Sequence, residues 1–299
     1  MMKQEAIGLR AASFALFLCL FWGGLTPGLK IALEGVPPIA VAGWRFLLGL
    51  IVIWLWAVAK RVTLRLPRRQ WLPLLIFALI FVVQISAINI GTQKTSANYA
   101  VILLSTSPLF VAVLAHLFLH DDRLSLRKLA GLLLAFLGVA SVFLETPPIR
   151  EMLMGNLLSI LSGFLLAIIY VYGKFLLRNL TAIQIVFWEM TFGVPLFFIL
   201  SALLEPSERH VTVPVALSIF YQGAVVAGLC FVSWMKLLKR HPASKLTAFQ
   251  FSIPVFGVIL SWLILGEPIT LRLVLGVAGV AAGIILVSDD RSSDQLGEH

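Results

Sequence analysis

The sequence predicts an all-α integral membrane protein in which ten transmembrane helices form two inverted five-helix repeats. Three observations support this fold class: an excess of apolar residues, ten apolar stretches of membrane-spanning length, and a similarity between the two halves of the chain. Hydrophobic residues make up 60% of the 299 residues and charged residues only 12%, with a mean hydropathy of +1.00. Soluble domains are usually about 45–50% apolar, so these values indicate a membrane protein.

Each apolar stretch has about 17–25 residues, which is enough for a helix to cross a hydrocarbon core of about 30 Å. The first stretch follows basic residues, as in a signal peptide, but no small-residue cleavage site follows it, so we interpret it as helix 1. The predicted spans are 11–33, 38–59, 70–92, 97–119, 126–144, 155–177, 182–204, 212–235, 244–265 and 271–288.

Helix 1 is interrupted, and with helix 2 it forms a hairpin over residues 21–45. Its apolar run contains Gly23, Gly24, Pro27 and Gly28. Glycine and proline free backbone groups from the hydrogen-bond ladder, and at membrane depth this is tolerated where the backbone packs on protein or lines a watery cavity. Helix 1 is therefore predicted to line a pathway.

The net charge of +9 reflects membrane topology. With a cytoplasmic N-terminus, seventeen of the 23 Lys and Arg residues lie on the inner side, five lie on the outer side, and Arg45 lies inside helix 2. Such a bias in short loops sets the orientation of the chain. We therefore predict a multi-pass protein of a bacterial inner membrane with both termini in the cytoplasm, and no nucleic-acid partner.

The two halves of the chain resemble each other. A shift of 144 residues aligns Lys30 with Lys174 and Arg45 with Glu189, and shifts of 145 or 146 align glycines, prolines and alanines of the later helices. Because each half has five helices, an odd number, the second half must cross the membrane in the opposite sense. The loop charges agree, since loops rich in basic residues in one half are poor in them in the other.

This repeat divides the chain into residues 1–148, residues 149–288 and a polar cytoplasmic tail, residues 289–299. Inverted repeats recur in secondary transporters, because two similar halves can exchange conformations and so alternate access to a central site. The architecture therefore predicts a permease.

Several residues match the signatures of a known family. The motif of helices 1 and 2 consists of Trp22-Gly23, Lys30, Pro38 and Arg45. The motif of helices 4 and 5 in the second half consists of alanines and a proline in residues 243–254, then Gly266-Glu267-Pro268 and Gly276. The first half keeps Pro108 but has His120-Asp121-Asp122 in place of the Gly-Glu turn. On these residues the chain resembles the EamA family of the drug/metabolite transporter superfamily over essentially all ten helices.

This resemblance implies a ten-helix permease that works by alternating access, of a kind that often exports amino acids or other small metabolites. It also implies a central cavity lined by helices 1, 3, 4, 6, 8 and 9. Members of the family differ widely in substrate, so amino acids and amphipathic drug-like compounds both remain candidate cargoes, and the direction of transport remains open.

Polar and aromatic residues at membrane depth are candidates for a substrate pathway. A polar side chain in hydrocarbon without a partner is costly, so these side chains should face the protein interior. Their alternative roles are hydrogen bonding between helices and, for Trp and Tyr near helix ends, membership of the interfacial belt. The candidates are Trp22, Gln84, Asn89, Asn98, Tyr99, Ser105, Tyr170, Gln222, Trp234 and Gln250.

Four charged residues are further candidates. Glu189 is the only acidic residue well inside a predicted span, so it is a candidate for proton coupling. An ion pair with Lys174 on the preceding helix would instead make it a structural clip. Lys30 and Arg45, near the outer ends of helices 1 and 2, can attract an anionic group or extend toward the interface.

Other function classes have little support in the sequence. It lacks the G-x-S-x-G and H-E-x-x-H motifs and a nucleotide-binding P-loop, so neither an enzyme nor an ATP-driven pump in one chain is predicted. His116 and His120 lie one helical turn apart with no third ligand nearby, and no metal or cofactor is predicted. A non-transporting scaffold or receptor is the remaining alternative.

The predicted partners are the lipid bilayer, a small-molecule substrate and protons as a possible coupling ion. Cys19 and Cys230 are interpreted as small packing residues inside helices. Helices 5 and 10 have small residues at intervals of four, which predicts close packing either within one chain or between two copies, so a monomer and a homodimer both remain open.

Overall fold

The computed structural model describes residues 7–95, 97–120, 122–143, 152–206, 209–265 and 271–289. Within these ranges the chain forms ten helical spans and no β-strand. The spans are α1 (Leu9–Leu33), α2 (Pro38–Ala59), α3 (Trp71–Lys94), α4 (Ala97–Leu104 and Ser107–Phe118), α5 (Leu126–Phe143), α6 (Leu153–Leu176), α7 (Ala182–Leu204), α8 (Val213–Arg240), α9 (Ala243–Ala248, Phe249–Phe251 and Ser252–Leu265) and α10 (Leu271–Ser288).

These helices confirm the predicted all-α membrane fold. In the described part of the chain, α1, α2, α3, α6, α7 and α8 are long and apolar enough to cross a membrane by length and composition. The largest difference from the predicted spans is the end of α8, which lies at Arg240 instead of residue 235. Long basic side chains can keep their stems on an apolar surface while their charge reaches water, and Lys236 does so with its ammonium 4.8 Å from the centre of the Trp56 ring.

The outer surface of the helices is apolar. Large side chains such as Val58, Leu137 and Leu217 are about 60% exposed in the isolated chain. Water would penalise an apolar surface of this extent, whereas lipid tails cover it without cost. The exposed faces of these helices are therefore the lipid-facing surface.

The break predicted in helix 1 occurs at Gly24, which separates Leu9–Gly23 from Leu25–Leu33. A Cβ atom on Gly24 would lie 2.7 Å from the Tyr221 hydroxyl, so only glycine lets α8 approach this closely. The same hydroxyl donates a hydrogen bond to the Phe21 carbonyl oxygen, 2.5 Å away. A side chain of α8 thus satisfies a carbonyl group at the interruption in α1.

The remaining interruptions were not predicted. α4 is broken between Leu104 and Ser107, α8 widens into a π-helix over Tyr221–Cys230, and α9 tightens into a 3₁₀ turn over Phe249–Phe251. Conversely, α6, the counterpart of α1 in the second half, is a continuous helix over Leu153–Leu176. The repeat aligns the hairpin of residues 21–45 with residues 168–189 and so predicts a broken helix there too; this prediction is wrong, and in the second half the irregular backbone lies in α8 and α9.

α5 and α10 pack closely against each other within one chain. A Cβ atom on Gly138 of α5 would lie 2.8 Å from the Gly276 carbonyl oxygen of α10, and one on Gly131 would lie 2.8 Å from the Gly283 carbonyl oxygen. Small residues permit this approach because the backbones then touch directly. The small-residue faces of both helices are thus used inside the chain, and the sequence argument for a dimer through them no longer applies.

α2 and α7 run antiparallel and join the two halves. Phe46, near the start of α2, stacks on Phe197, near the end of α7, with ring centres 5.7 Å apart. Trp188, near the start of α7, donates its indole N–H to the Leu64 carbonyl oxygen just after α2, at 2.8 Å. Equivalent helices of the two halves therefore cross the membrane in opposite senses, as an inverted repeat requires.

Two carboxylates connect the halves at opposite ends of the molecule. Asp122, after α4, accepts hydrogen bonds from the backbone N–H of Ser244 at 2.8 Å and from the Ser244 hydroxyl, both at the start of α9. It also pairs with Lys128 at 3.1 Å, and both side chains are fully buried. Glu205, after α7, accepts from the backbone N–H groups of Ile39 and Ala40 at 2.6 and 3.0 Å, in the first turn of α2. Carboxylates at helix N-termini are stabilised by the free N–H groups and the helix dipole.

Some predicted features lie outside the described residues. They are the Gly266-Glu267-Pro268 turn, the boundary between residues 148 and 149, and the tail after Asp289.

The packing of α5 on α10 predicts that Gly138→Ala destabilises the protein. The added methyl group must displace the α10 backbone, and overpacking of this kind typically costs about 1–3 kcal/mol. The melting temperature of the protein in detergent should fall. Gly8→Ala is the matched control, because a Cβ atom there meets nothing within 4 Å, and an equal shift in both variants would contradict the packing argument.

The buried pair of Asp122 and Lys128 predicts that Asp122→Asn is strongly destabilising. Removing one partner leaves the Lys128 charge buried without compensation, which typically costs about 3–5 kcal/mol. Denaturation of the solubilised protein by sodium dodecyl sulfate measures this loss.

Asp289→Asn provides the control for that measurement. Asp289 pairs with Arg127 at 3.9 Å, and both side chains are more than half exposed. Exposed ion pairs contribute about 0–1 kcal/mol, so this variant should unfold nearly as the wild type does. Similar losses in the two variants would show that the buried pair has no special role.

Candidate functional site

A central cavity lies between the two halves. Residues of α1, α2, α3 and α4 line it from the first half, and residues of α6, α7, α8 and α9 line it from the second. It contains about 1240 Å³ of space not occupied by atoms, including the part that is open to solvent. Sites for small molecules are usually concave and mostly apolar with a few placed polar groups, and this cavity has that composition.

Aromatic rings form one wall of the cavity. The ring centres of Trp22 and Trp234 lie 4.9 Å apart in an edge-to-face arrangement, and Phe231 lies 6.2 Å from Trp22. Tyr170 lies 6.2 Å from Trp234 on the other side. Trp22 lies in the last turn before the interruption of α1, so the break ends the first segment of α1 directly beside the cavity.

Amide side chains in the wall also connect helices. Gln84 of α3 donates to the Ser162 hydroxyl of α6 at 2.8 Å, and Asn89 of α3 donates to the Pro38 carbonyl oxygen at 2.8 Å. Gln250 of α9 donates to the Tyr170 hydroxyl of α6. These residues line the cavity and hydrogen-bond between helices at the same time, so the two roles considered for them are compatible.

Arg45 is a buried cation in the cavity wall, with only 3% of its surface exposed. Its guanidinium lies 4.4 Å from the centre of the Phe46 ring and donates to the side-chain amide oxygen of Gln222 at 3.4 Å. Gln222 in turn donates to the Ser218 hydroxyl at 3.0 Å, and that hydroxyl donates to the Gly28 carbonyl oxygen. A chain of hydrogen bonds through α8 therefore positions the guanidinium.

Glu189 is the corresponding buried acidic side chain. It is 3% exposed and lines the same cavity from α7. Within the described residues, its carboxylate has neither a hydrogen-bond partner nor an ion-pair partner, and it forms no salt bridge with Arg45. Among the described lining residues, Arg45 and Glu189 are the two that bear a formal charge.

The structure brings most of the candidate residues together. Gln222 and Lys30 do not line the cavity: Gln222 is fully buried beside Arg45, and Lys30 is exposed at the end of α1. The side chains of Asn98 and Tyr99 lie outside the described part of the molecule. The candidates that line the cavity are Trp22, Arg45, Gln84, Asn89, Ser105, Tyr170, Glu189, Trp234 and Gln250.

The structure does not support Lys174 and Glu189 as a structural clip. The Lys174 ammonium donates to the His241 carbonyl oxygen at 2.5 Å, at the junction of α8 and α9. Across the described residues, no salt bridge joins Lys174 to Glu189. Lys174 therefore serves the packing of one end of the molecule, while Glu189 faces the cavity.

Sequence reasoning missed the apolar part of the wall. Phe77, Phe81, Phe231 and Pro254 line the cavity, but nothing in the sequence separates these three phenylalanines from the other 18 of the 21 in the chain. The helix set implied by the resemblance also lacked α2 and α7. The signal for those two helices was the presence of Arg45 and Glu189 inside predicted spans.

Comparisons with known proteins agree with this architecture. The model of the EamA-like transporter family matches residues 9–144 and again residues 153–289, once for each half. A solved crystal structure with 19% sequence identity superposes with a TM-score of 0.81, covering 94% of this chain and 98% of that one. This structural likeness establishes the fold.

Curated relatives extend over nearly the whole chain. An uncharacterized transporter of Archaeoglobus fulgidus is 30% identical over 279 residues, covering 89% of this chain and 94% of the relative. The uncharacterized transporter YoaV of Bacillus subtilis is 25% identical, with 89% and 92% covered. A protein of Escherichia coli named "Probable amino-acid metabolite efflux pump" is 26% identical, with 91% and 92% covered.

Proposed function

Because the chain belongs to the EamA-like transporter family, we propose that it is a secondary-active transporter that exports amino acids or related small metabolites by alternating access. The central cavity is the observation that supports this function best. Both halves line it, and it combines an aromatic wall with two buried opposite charges. The name of the Escherichia coli relative points to the same class of cargo.

The inverted architecture suits alternating access. Two similar halves around one site can exchange conformations, which opens the site to one side of the membrane and then to the other. The contact of Asp122 with α9 and the contact of Glu205 with α2 connect the halves at opposite ends. In this mechanism each contact closes one end of the cavity and must open when access changes.

The orientation proposed here follows from the loop charges. It places both termini in the cytoplasm of a bacterium and the Asp122 contact on the cytoplasmic side, where most basic residues lie. The Glu205 contact then lies on the outer side. The chain functions in the lipid bilayer with a small-molecule partner.

The aromatic wall also favours a second cargo class, amphipathic drug-like cations. Such compounds could place a ring against Trp22 and Trp234 and a positive charge near Glu189. They would leave the buried charge of Arg45 uncompensated, and for this reason we favour amino acids.

Counterflow in proteoliposomes tests the proposed function. Vesicles loaded with an unlabelled L-amino acid at millimolar concentration should accumulate the same radiolabelled amino acid transiently, well above protein-free vesicles. Parallel assays with a cationic amphipathic dye test the second class. If no amino acid in a panel of twenty exchanges, amino acids are excluded as the cargo, and failure of the dye as well would favour a non-transporting scaffold or receptor.

Proton coupling through Glu189 predicts a specific loss in Glu189→Gln. Amino-acid flux should rise when a pH gradient is imposed on wild-type vesicles, and this stimulation should vanish in the variant, because the amide cannot gain and lose a proton. The ratio of flux with and without the gradient corrects for a uniform loss of flux in the variant, such as a smaller amount of active protein. Glu34→Gln, at an exposed position, is the control, and stimulation that persists in Glu189→Gln would exclude this residue as the coupling group.

A further inference from the structure

We propose that Arg45 binds the carboxylate of the transported compound, and that the ammonium group of an amino acid is not required for recognition. The cargo class is then apolar organic acids, which include apolar amino acids and their relatives without the amino group. The inference rests on the proposed function, since it names the group by which the proposed transporter selects its cargo.

Arg45 has donors left for an anion. Its guanidinium carries five N–H groups, and in the described chain it makes one long hydrogen bond, 3.4 Å to the side-chain amide oxygen of Gln222. Among the described residues it forms no ion pair, although it is only 3% exposed. A buried charge is costly until it is paired, and a guanidinium matches a carboxylate with two parallel hydrogen bonds. A carboxylate ligand therefore satisfies both the charge and the donors of Arg45.

The guanidinium is held in place before a ligand arrives. The centre of the Phe46 ring lies 4.4 Å from its central carbon atom, and Gln222 contacts one edge. Gln222 is itself fully buried and donates to the Ser218 hydroxyl at 3.0 Å. A side chain that is already positioned loses little conformational freedom on binding, which lowers the cost of forming a complex. Arg45 is therefore a preorganised carboxylate site in the cavity wall.

Aromatic rings of the cavity lie within reach of the same ligand. The ring centre of Phe46 lies 4.6 Å from that of Phe81 and 5.8 Å from that of Phe231, and the latter two residues line the cavity. Adding the 4.4 Å between Phe46 and the guanidinium carbon places the rings of Phe81 and Phe231 at most about 9 and 10 Å from that carbon. A carboxylate bound to Arg45 can therefore rest a short apolar chain or a ring against them.

Glu189 lies too far along the cavity to bind the other charge of an amino acid held in this way. Phe46 stacks on Phe197 across the antiparallel pair of α2 and α7. Arg45 is therefore about nine residues from the level of Glu189, or about 14 Å along the helix axis. Its contact with the Phe46 ring keeps the guanidinium near its own level.

The ammonium group of an α-amino acid consequently gains no charged partner. It is attached to the same carbon atom as the carboxylate, so it stays near Arg45 when the carboxylate binds there. It must still lose water on entering an apolar cavity, and a buried charge without a partner is costly. An acid without an ammonium group avoids this cost and should bind at least as well.

Binding of matched ligands to the purified full-length protein, measured by isothermal titration, tests the inference. One series is 3-phenylpropionate, L-phenylalanine, phenethylamine and methyl 3-phenylpropionate; the other is 4-methylvalerate, L-leucine, isoamylamine and methyl 4-methylvalerate. In the wild type, each acid should bind at least as tightly as its amino acid and about 10- to 100-fold more tightly than its amine and its ester, because these leave Arg45 unpaired. These measurements do not depend on any variant folding.

Arg45→Gln should remove the preference for the acid over its ester. The acid should bind at least about 10-fold more weakly than in the wild type, whereas the neutral ester should bind nearly as before. Arg127→Gln, at an exposed position that does not line the cavity, is the matched control and should keep the wild-type order. A general structural role of Arg45 would weaken the acid and the ester equally, and that result would overturn the inference.

The outcomes separate this inference from the proposed function. Equal affinity of the acid and its ester in the wild type would overturn the inference, and amino acids that exchange in counterflow would leave transport intact. An amino acid that binds more than about 10-fold more tightly than its acid would also overturn it, because its ammonium group would then have a site of its own. If no ligand of either series binds while another amino acid exchanges in vesicles, the apolar carboxylate site is wrong and the transport function stands.

Discussion

At membrane depth, a backbone group that leaves a helical ladder needs a partner inside the protein, because lipid offers none. α1 is interrupted at Gly24, and α8 supplies the partners. The Tyr221 hydroxyl donates to the Phe21 carbonyl oxygen, and the Ser218 hydroxyl donates to the Gly28 carbonyl oxygen. The interruption in one half thus depends on a helix of the other half, and that helix is itself irregular where it begins its π-helical stretch. In the described helices, the interruptions of α1, α4 and α9 lie beside residues that line the cavity.

The same contact positions the buried cation. Gln222 follows Tyr221 directly and bonds Arg45, while a Cβ atom on Gly223 would lie 2.7 Å from the Arg45 carbonyl oxygen. Glycine at 223 therefore allows α8 to lie against α2 at the depth where the guanidinium enters the cavity. The same stretch of α8 therefore packs against α2, bonds the carbonyl groups of α1 and positions the Arg45 guanidinium. A change in this stretch would affect all three.

Sequence patterns predicted the helices well, because the thickness of the bilayer fixes the length of an apolar run whatever its other contacts. The repeat was readable from the alignment of the two halves. Its inversion was readable because equivalent loops of the two halves differ in charge. The contact of Lys174 with the backbone carbonyl of His241 was not readable, because every residue carries the same backbone groups and the sequence does not show which of them a side chain meets. The phenylalanines of the cavity wall could not be predicted either, because a Phe that lines a cavity and a Phe that packs between helices look the same in a sequence.

The candidate residues remain a prediction about transport, although seven of the ten pathway candidates and two of the four charged ones line the cavity. What the structure adds is their relation to one another. Amide groups that could serve either substrate or neighbouring helices are already bonded to helices, as Gln84 is to Ser162. Arg45 and Glu189 are the charged side chains among the described cavity-lining residues, and both still have hydrogen-bonding groups free for a ligand. They therefore restrict the range of possible ligands more than the amide side chains do.

Two halves of identical sequence in a symmetric environment would give the inward and outward states equal free energies, because exchanging their conformations would regenerate the same molecule. This chain departs from that limit at equivalent positions. Arg45 of α2 is aligned with Glu189 of α7 in the repeat, and α1 is broken where α6 is continuous. In the proposed alternating mechanism, Arg45 stays with α2 and Glu189 with α7 when the halves exchange conformations, so the side chains that a substrate meets differ between the two states. Under that proposal, the differences between the repeats determine how unequal the free energies of the two states are.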